Sequence, residues 1–175
     1  MVSMEAHGVW EGGFRTRLDD GRGHMVTVDL PSDEDGTDAG TSSLELMVLS
    51  LAGCITTIFG LVAQRRKLRF VDMRVVLEAE RPKGAPTIQR VVGTLEVRTE
   101  ASSEEVETAL RVTLRICPVG VLFERAHVPV QVVARVLAPS LGSAVREAAP
   151  SPTAFVANEP ISSQPALPPE AHPRG

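Results

Sequence analysis

The sequence predicts an α+β domain over residues 1–137 followed by a disordered tail over 138–175. Three observations carry this. A long apolar run from Leu44 to about Arg66 has helical spacing. Short alternating or β-branched segments lie on both sides of it. After Leu137 the composition turns to proline, alanine and serine. The resulting order is a β-hairpin, a central helix, two strands, a second helix and a last strand.

The elements follow in turn. "FRTRL" and "HMVTVDL" alternate apolar and polar residues around the turn "DDGRG", which reads as a hairpin. "DEDGTDAGTSS" is a loop ending in Ser43, the predicted N-cap of the central helix. In that helix, positions 44, 47, 48, 51, 55, 58, 59 and 62 form one stripe, while Leu46, Leu49 and Leu61 fill the other faces. A helix apolar all round is expected to be buried. "QRRK" at 64–67 suits the negative end of its dipole. "RFVDMRVVLEAER" and "TIQRVVGTLEVRTE" are strands around the turn "PKGAP". "SSEEVETALRVTLRI" opens with a serine cap and an acidic first turn, then becomes amphipathic. "VPVQVVARVL" is the last strand.

The tail holds eight of the thirteen prolines and no periodic apolar pattern, so it cannot offset its ordering entropy. Composition also excludes function classes. A net charge of −4 and scarce aromatics argue against a nucleic-acid binder. Leu46 to Ala63 carries no charge and meets the minimum length for a membrane span. Ser50, Gly53, Cys54, Thr56, Thr57 and Gly60 interrupt it, however, and no Trp or Tyr flanks it. A buried core helix is the better expectation. "MVSMEAHGVWEGG" lacks the pattern of an export signal, so two cysteines predict a cytoplasmic protein with reduced thiols.

Those cysteines carry the functional question. Cys54 lies within "SLAGCITT", and Cys117 within "RICPVG" 63 positions later. A lone cysteine on a buried helix is commonly a small, inert hydrophobe. Yet Ala52, Gly53, Thr56 and Thr57 are small, and another element or a substrate can approach Cys54 closely. Cys117 also reads two ways. It caps a short helix starting at Pro118, where unpaired N–H groups lower a thiol pKa, or it packs inward where Pro118 ends the preceding helix. The four histidines show no metal-ligand spacing, and no phosphate loop or serine nucleophile elbow is present.

"SSLELMVLSLAGC" resembles the central-helix motif of the OsmC/Ohr family of bacterial thiol peroxidases, and "ICPV" resembles its second cysteine motif. The likeness spans about residues 4–137, with Trp10, Gly23, His24 and Asp29 resembling the YhfA-like branch. The resemblance implies an OsmC-like fold, an intertwined homodimer and oxidative-stress defence without metal or other cofactor. It implies that Cys54 is the peroxidatic thiolate, which becomes a sulfenic acid on reducing an organic hydroperoxide. Cys117 would resolve it as a disulfide, reopened by a dithiol reductant of lipoyl type. An arginine from the N-terminal strands would stabilise the thiolate. Arg17 is the candidate, with Arg15 on the same strand face. Both also fit solvated surface charges.

Two departures stand out, one being that no motif fixes which arginine serves the site. The family's peroxidases carry a glutamate ten positions before the first cysteine, and this chain has Leu44 there. Glu45 is one residue away, which on a helix rotates a side chain by about 100°. Two functions therefore compete. The first is thiol-dependent reduction of organic hydroperoxides. The second is a dimer that keeps the pocket and binds a small apolar or electrophilic ligand with little turnover.

Overall fold

A computed structural model describes residues 3–139, so most of the predicted tail lies outside the described residues. Strands β1 (His7–Gly12), β2 (Arg15–Asp19) and β3 (Met25–Val28) precede helix α1 (Ser43–Arg66). Then come β4 (Asp72–Glu80), β5 (Arg90–Arg98), α2 (Ser103–Ile116), α3 (Pro118–Arg125) and β6 (Val130–Leu137). The α+β expectation holds. Strand β1 was absent from the predicted hairpin, which becomes the second half of a three-stranded antiparallel sheet.

The second sheet has the order β4-β5-β6. β4 and β5 pair antiparallel through their short connection, with Val75 opposite Leu95. β6 pairs parallel with β5, because α2 and α3 carry the chain back across the sheet between them. The inner faces of these strands meet the helices. Phe59, Val62 and Ala63 of α1 pack with Leu95 and Val97 of β5 and with Val106, Ala109 and Leu110 of α2. Phe59 also meets Phe70 edge-on, with ring centroids 6.2 Å apart.

Helix α1 starts one residue earlier than predicted. Ser42, not Ser43, is its N-cap and forms a capping box with Glu45. Its end is closed by Lys67 in the left-handed conformation at φ 58°, whose N–H reaches the Ala63 and Gln64 carbonyls. Length and composition alone would let α1 cross a membrane. One face of it is instead packed into the domain through Leu51, Ile55, Phe59, Val62 and Ala63.

The expectation of burial on every face fails within one chain. Met47 is 45%, Leu49 57% and Leu61 47% exposed. The three-stranded sheet is likewise uncovered: Val9, Trp10 and Met25 are exposed, as is Phe14 in the β1–β2 turn, and Val28 is its buried residue. Its link to the domain is the loop before α1, where Asp29 holds the turn together. The buried Asp29 carboxylate accepts from the Leu30, Thr37 and Ala39 N–H groups at 2.9, 3.1 and 3.2 Å. Hydrogen bonds from Thr37 and these amides keep it below the ordinary carboxylate pKa.

Candidate functional site

Cys54 and Cys117 meet where α1 crosses the junction of α2 and α3. Cys54 sits on the edge of the packed face of α1, half-buried beside Leu51 and Ile55. Small residues surround it on the helix. A side chain at Gly53 would meet nothing within 4 Å, and the Thr56 hydroxyl is folded back on its own helix, donating to the Ala52 carbonyl at 2.9 Å. The approach to Cys54 from the uncovered side of α1 is therefore open.

Cys117 belongs to two helices at once. Its N–H donates to the Thr113 carbonyl at 2.9 Å, which finishes α2. Its sulfur accepts from the Gly120 N–H at 3.4 Å as the N-cap of α3, with Pro118 at the first helical position. Both sequence readings of Cys117 are thus correct in geometry. The pKa attached to the capping reading is not. Cys117 is fully buried, and burial, with the Cys54 sulfur beside it, pushes its thiol up to about 11 against the Gly120 and Val119 amides. Desolvation outweighs the two amide donors.

The two sulfurs are 2.8 Å apart, with the Cys117 thiol pointing at Cys54, and both cysteines are free. This contact lies between a covalent disulfide, near 2.05 Å, and ordinary packing. Cys54 is partly exposed, whereas Cys117 is buried and meets Cys54.

The raised Cys117 pKa has a measurable consequence. A thiol normally near 9.0 stays protonated in the folded chain until about 11. Its contribution is whole below pH 9, where both states hold the proton. Between 9 and 11 the unfolded chain releases a proton that the folded chain retains, so stability falls across that window. Urea unfolding of the reduced protein at pH 8–11 should show this decline, and Cys117→Ala should flatten it. Equal slopes in the two proteins would mean that Cys117 is not the group responsible.

The remaining candidates are spread differently. Arg15 and Arg17 do share a strand face, and both turn to Glu11, at 4.0 and 3.2 Å respectively. A β-bulge between Trp10 and Gly12 sets Glu11 opposite them. The Arg17 Nε is buried and sits at ion-pair distance from Glu11 without hydrogen-bond alignment. Among the described residues, no hydrogen bond or ion pair joins either arginine to a cysteine. Glu11 escaped the sequence reading because its role depends on β1, the strand that was missed.

Glu45 is occupied by its own helix. Its carboxylate accepts from the Ser42 N–H at 2.7 Å and the Thr41 hydroxyl at 3.2 Å, which holds it below the ordinary range. Leu44 instead packs with the cluster that contains Leu51, Ile55, Cys54 and Cys117. A carboxylate at position 44 would need a cation to offset its burial there. Of the other quartet, Trp10 is exposed and donates to the Gly13 carbonyl at 2.9 Å. His24 pairs with Asp20 at 2.7 Å on the β2–β3 turn, and Gly23 takes a positive φ of 95° there.

Comparison with known proteins places this geometry in context. Residues 36–133 match the family model described as OsmC-like protein. No curated protein matches the chain. Among solved structures, an OsmC-like protein from Mycoplasma pneumoniae is similar with a TM-score of 0.69 at 13% identity, covering 78% of this chain and 98% of that one. An organic hydroperoxide resistance protein OsmC from Legionella pneumophila gives 0.65 at 18% identity, with coverage of 78% and 98%. One from Elizabethkingia anophelis, with thiocyanate bound, gives 0.65 at 15%, with the same coverage. At these identities the likeness is one of fold.

Proposed function

Because this chain belongs to the OsmC-like protein family, we propose that it reduces organic hydroperoxides through Cys54 and Cys117 as part of oxidative-stress defence. The observation that carries the reading is the 2.8 Å contact between the sulfurs of a partly exposed and a buried cysteine. The Cys54 thiolate attacks the distal peroxide oxygen, the O–O bond breaks and the alcohol leaves. Cys117 then attacks the sulfenic sulfur, water leaves and a disulfide closes. A dithiol reductant, of lipoyl type in the family, reopens it. A reducing cytoplasm suits such a cycle. Structures with this fold that are named organic hydroperoxide resistance proteins support the substrate class.

The proposed working unit is a homodimer. The exposed apolar face of α1 and the uncovered N-terminal sheet are the two surfaces a second copy would cover. Arg17 is proposed to reach Cys54 across that interface, with Arg15 as its neighbour and Glu11 fixing its guanidinium. Arg17→Ala should slow oxidation of Cys54 about a hundredfold, the usual loss when one preorganised electrostatic partner is removed. Arg15→Ala should do less. The reverse order would move the role to Arg15.

A second reading has its own support: the carboxylate at Glu45 is engaged in the helix cap and position 44 is leucine. On that reading the dimer binds a small apolar or electrophilic ligand with little turnover. Titration of free thiols after stopped-flow mixing with cumene hydroperoxide separates the two. The peroxidase reading expects the two free cysteines to disappear and the reaction to run at least about tenfold faster than with hydrogen peroxide, since apolar burial favours the aryl group. Persistence of both thiols in excess peroxide leaves the binding reading.

A further inference from the structure

We propose that Asp29 is a positioning residue for the thiol chemistry: it locks the connection between the N-terminal sheet and α1, and so fixes where Arg17 stands. The inference rests on Arg17 acting at the Cys54 of a second copy.

Asp29 is 3% exposed and is the one charged side chain in the buried set among the described residues. A carboxylate taken out of water needs partners. Its Oδ1 accepts from the Leu30 N–H, and its Oδ2 from the N–H groups of Thr37 and Ala39 and from the Thr37 hydroxyl. Among the described residues no ion pair offsets its charge. The group therefore works as an acceptor that gathers the chain from Leu30 to Ala39 around one point.

The gathered loop is also closed at its base. The Asp29 N–H donates to the Thr41 carbonyl at 3.2 Å, and Val28 bridges to Thr41. The Asp38 N–H donates to the Leu30 carbonyl at 3.1 Å. A side chain at Gly36 would run into the Leu30 carbonyl, and one at Gly40 into the Thr27 carbonyl, so the loop lies directly on the end of β3. One side of this knot is the sheet, where Thr27 stands opposite Arg17. The other is α1, because the Thr41 hydroxyl and the Ser42 N–H donate to the Glu45 carboxylate of the capping box.

Packing does not do this work. Neither hydrophobic cluster of the domain includes a residue of β1, β2 or β3. The direction of the sheet relative to α1 is therefore set by the loop, and a guanidinium carried on that sheet is placed only as well as the loop is held. Misplacing a preorganised group by 1 Å can cost about a hundredfold in rate.

The experiment follows alkylation of Cys54 by iodoacetamide in the reduced full-length chain, with peptide mass separating it from Cys117. It needs no peroxide turnover. Asp29→Asn keeps one acceptor oxygen and turns an NH2 toward N–H donors, and should slow alkylation at pH 7 at least about tenfold. Thr37→Val removes one donor and leaves the carboxylate, so it should give a smaller loss in the same direction and carries the test if Asp29→Asn does not fold. Thr37→Ser, which keeps the hydroxyl, should match the parent. The deficit should shrink toward about pH 10, above an ordinary thiol pKa, where hydroxide supplies the thiolate without help from a cation. In an Arg17→Ala background Asp29→Asn should cost nothing further, since no guanidinium is left to place. An equal loss in that background means that Asp29 acts through the fold at large, and overturns the positioning role. A loss that vanishes when protein concentration is raised traces to assembly and overturns it too. If Arg17→Ala reacts as the parent does, the reading of Arg17 has failed. If Arg17→Ala is slow while Asp29→Asn and Thr37→Val are not, that reading stands and the role of Asp29 falls.

Discussion

Replacing Cys54 with serine should abolish consumption of cumene hydroperoxide, a loss of at least about three orders of magnitude. The reason is chemical rather than structural. Serine fills nearly the same volume, and Cys54 is only half-buried, so the fold should tolerate it. A serine hydroxyl is not ionised near neutral pH and is a far poorer nucleophile toward peroxide oxygen than a thiolate. Cys117→Ser should behave differently. Cys54 would react once, with no sulfur 2.8 Å away to close the disulfide. Intact mass should then show one added oxygen, advancing to two and three as peroxide is raised. If Cys54→Ser consumes peroxide at the wild-type rate, or if Cys117→Ser turns over with a dithiol as the parent does, the division of roles is wrong.

The second large effect concerns assembly. Gly53 lies on the uncovered face of α1, where a side chain would meet nothing within 4 Å of the same chain. For an isolated chain, Gly53→Arg should be nearly neutral or even favourable, since arginine is a better helix former than glycine. In a dimer that covers this face, the substitution places an unpaired charge among Met47, Leu49 and Leu61, which a second copy would bury. An unpaired buried charge costs several kcal/mol, enough to weaken dimerisation by a factor of about 10² or more. Analytical ultracentrifugation at micromolar concentration should therefore show a dimeric parent and a folded monomeric variant. A parent that sediments as a monomer, or a variant that stays fully dimeric, would remove the proposed interface.

Much of the architecture was already legible in local chemistry. Ser102 with Glu105 marks the start of α2, and the structure places a capping box there. The long apolar stripe became α1, and the two β-branched runs became the paired strands β4 and β5. Strand β1 was not legible because "HGVWEG" has two glycines in six residues and no apolar–polar alternation, which dilutes the strand signal. Pairing with β2 supplies what the segment lacks by itself. The shift of the α1 cap from Ser43 to Ser42 has a similar origin. Two adjacent serines both qualify, and the reach of Glu45 back to the Ser42 N–H selects between them.

By itself, the sequence determined the α+β class, the helix-borne Cys54, the Cys117–Pro118 junction and the family resemblance. Each depends on residues within a few positions of one another, where spacing dictates geometry. Only the tertiary structure decided that the two sulfurs touch across 63 residues, that Arg15 and Arg17 turn to Glu11, and that Glu45 serves its own helix. It also decided the direction of the Cys117 pKa, which the capping reading alone would have placed low. A local rule counts the N–H groups at a helix start, which favour a thiolate. The fold adds the desolvation of a fully buried sulfur and a second sulfur beside it, and for a charged group desolvation is set by everything packed around it.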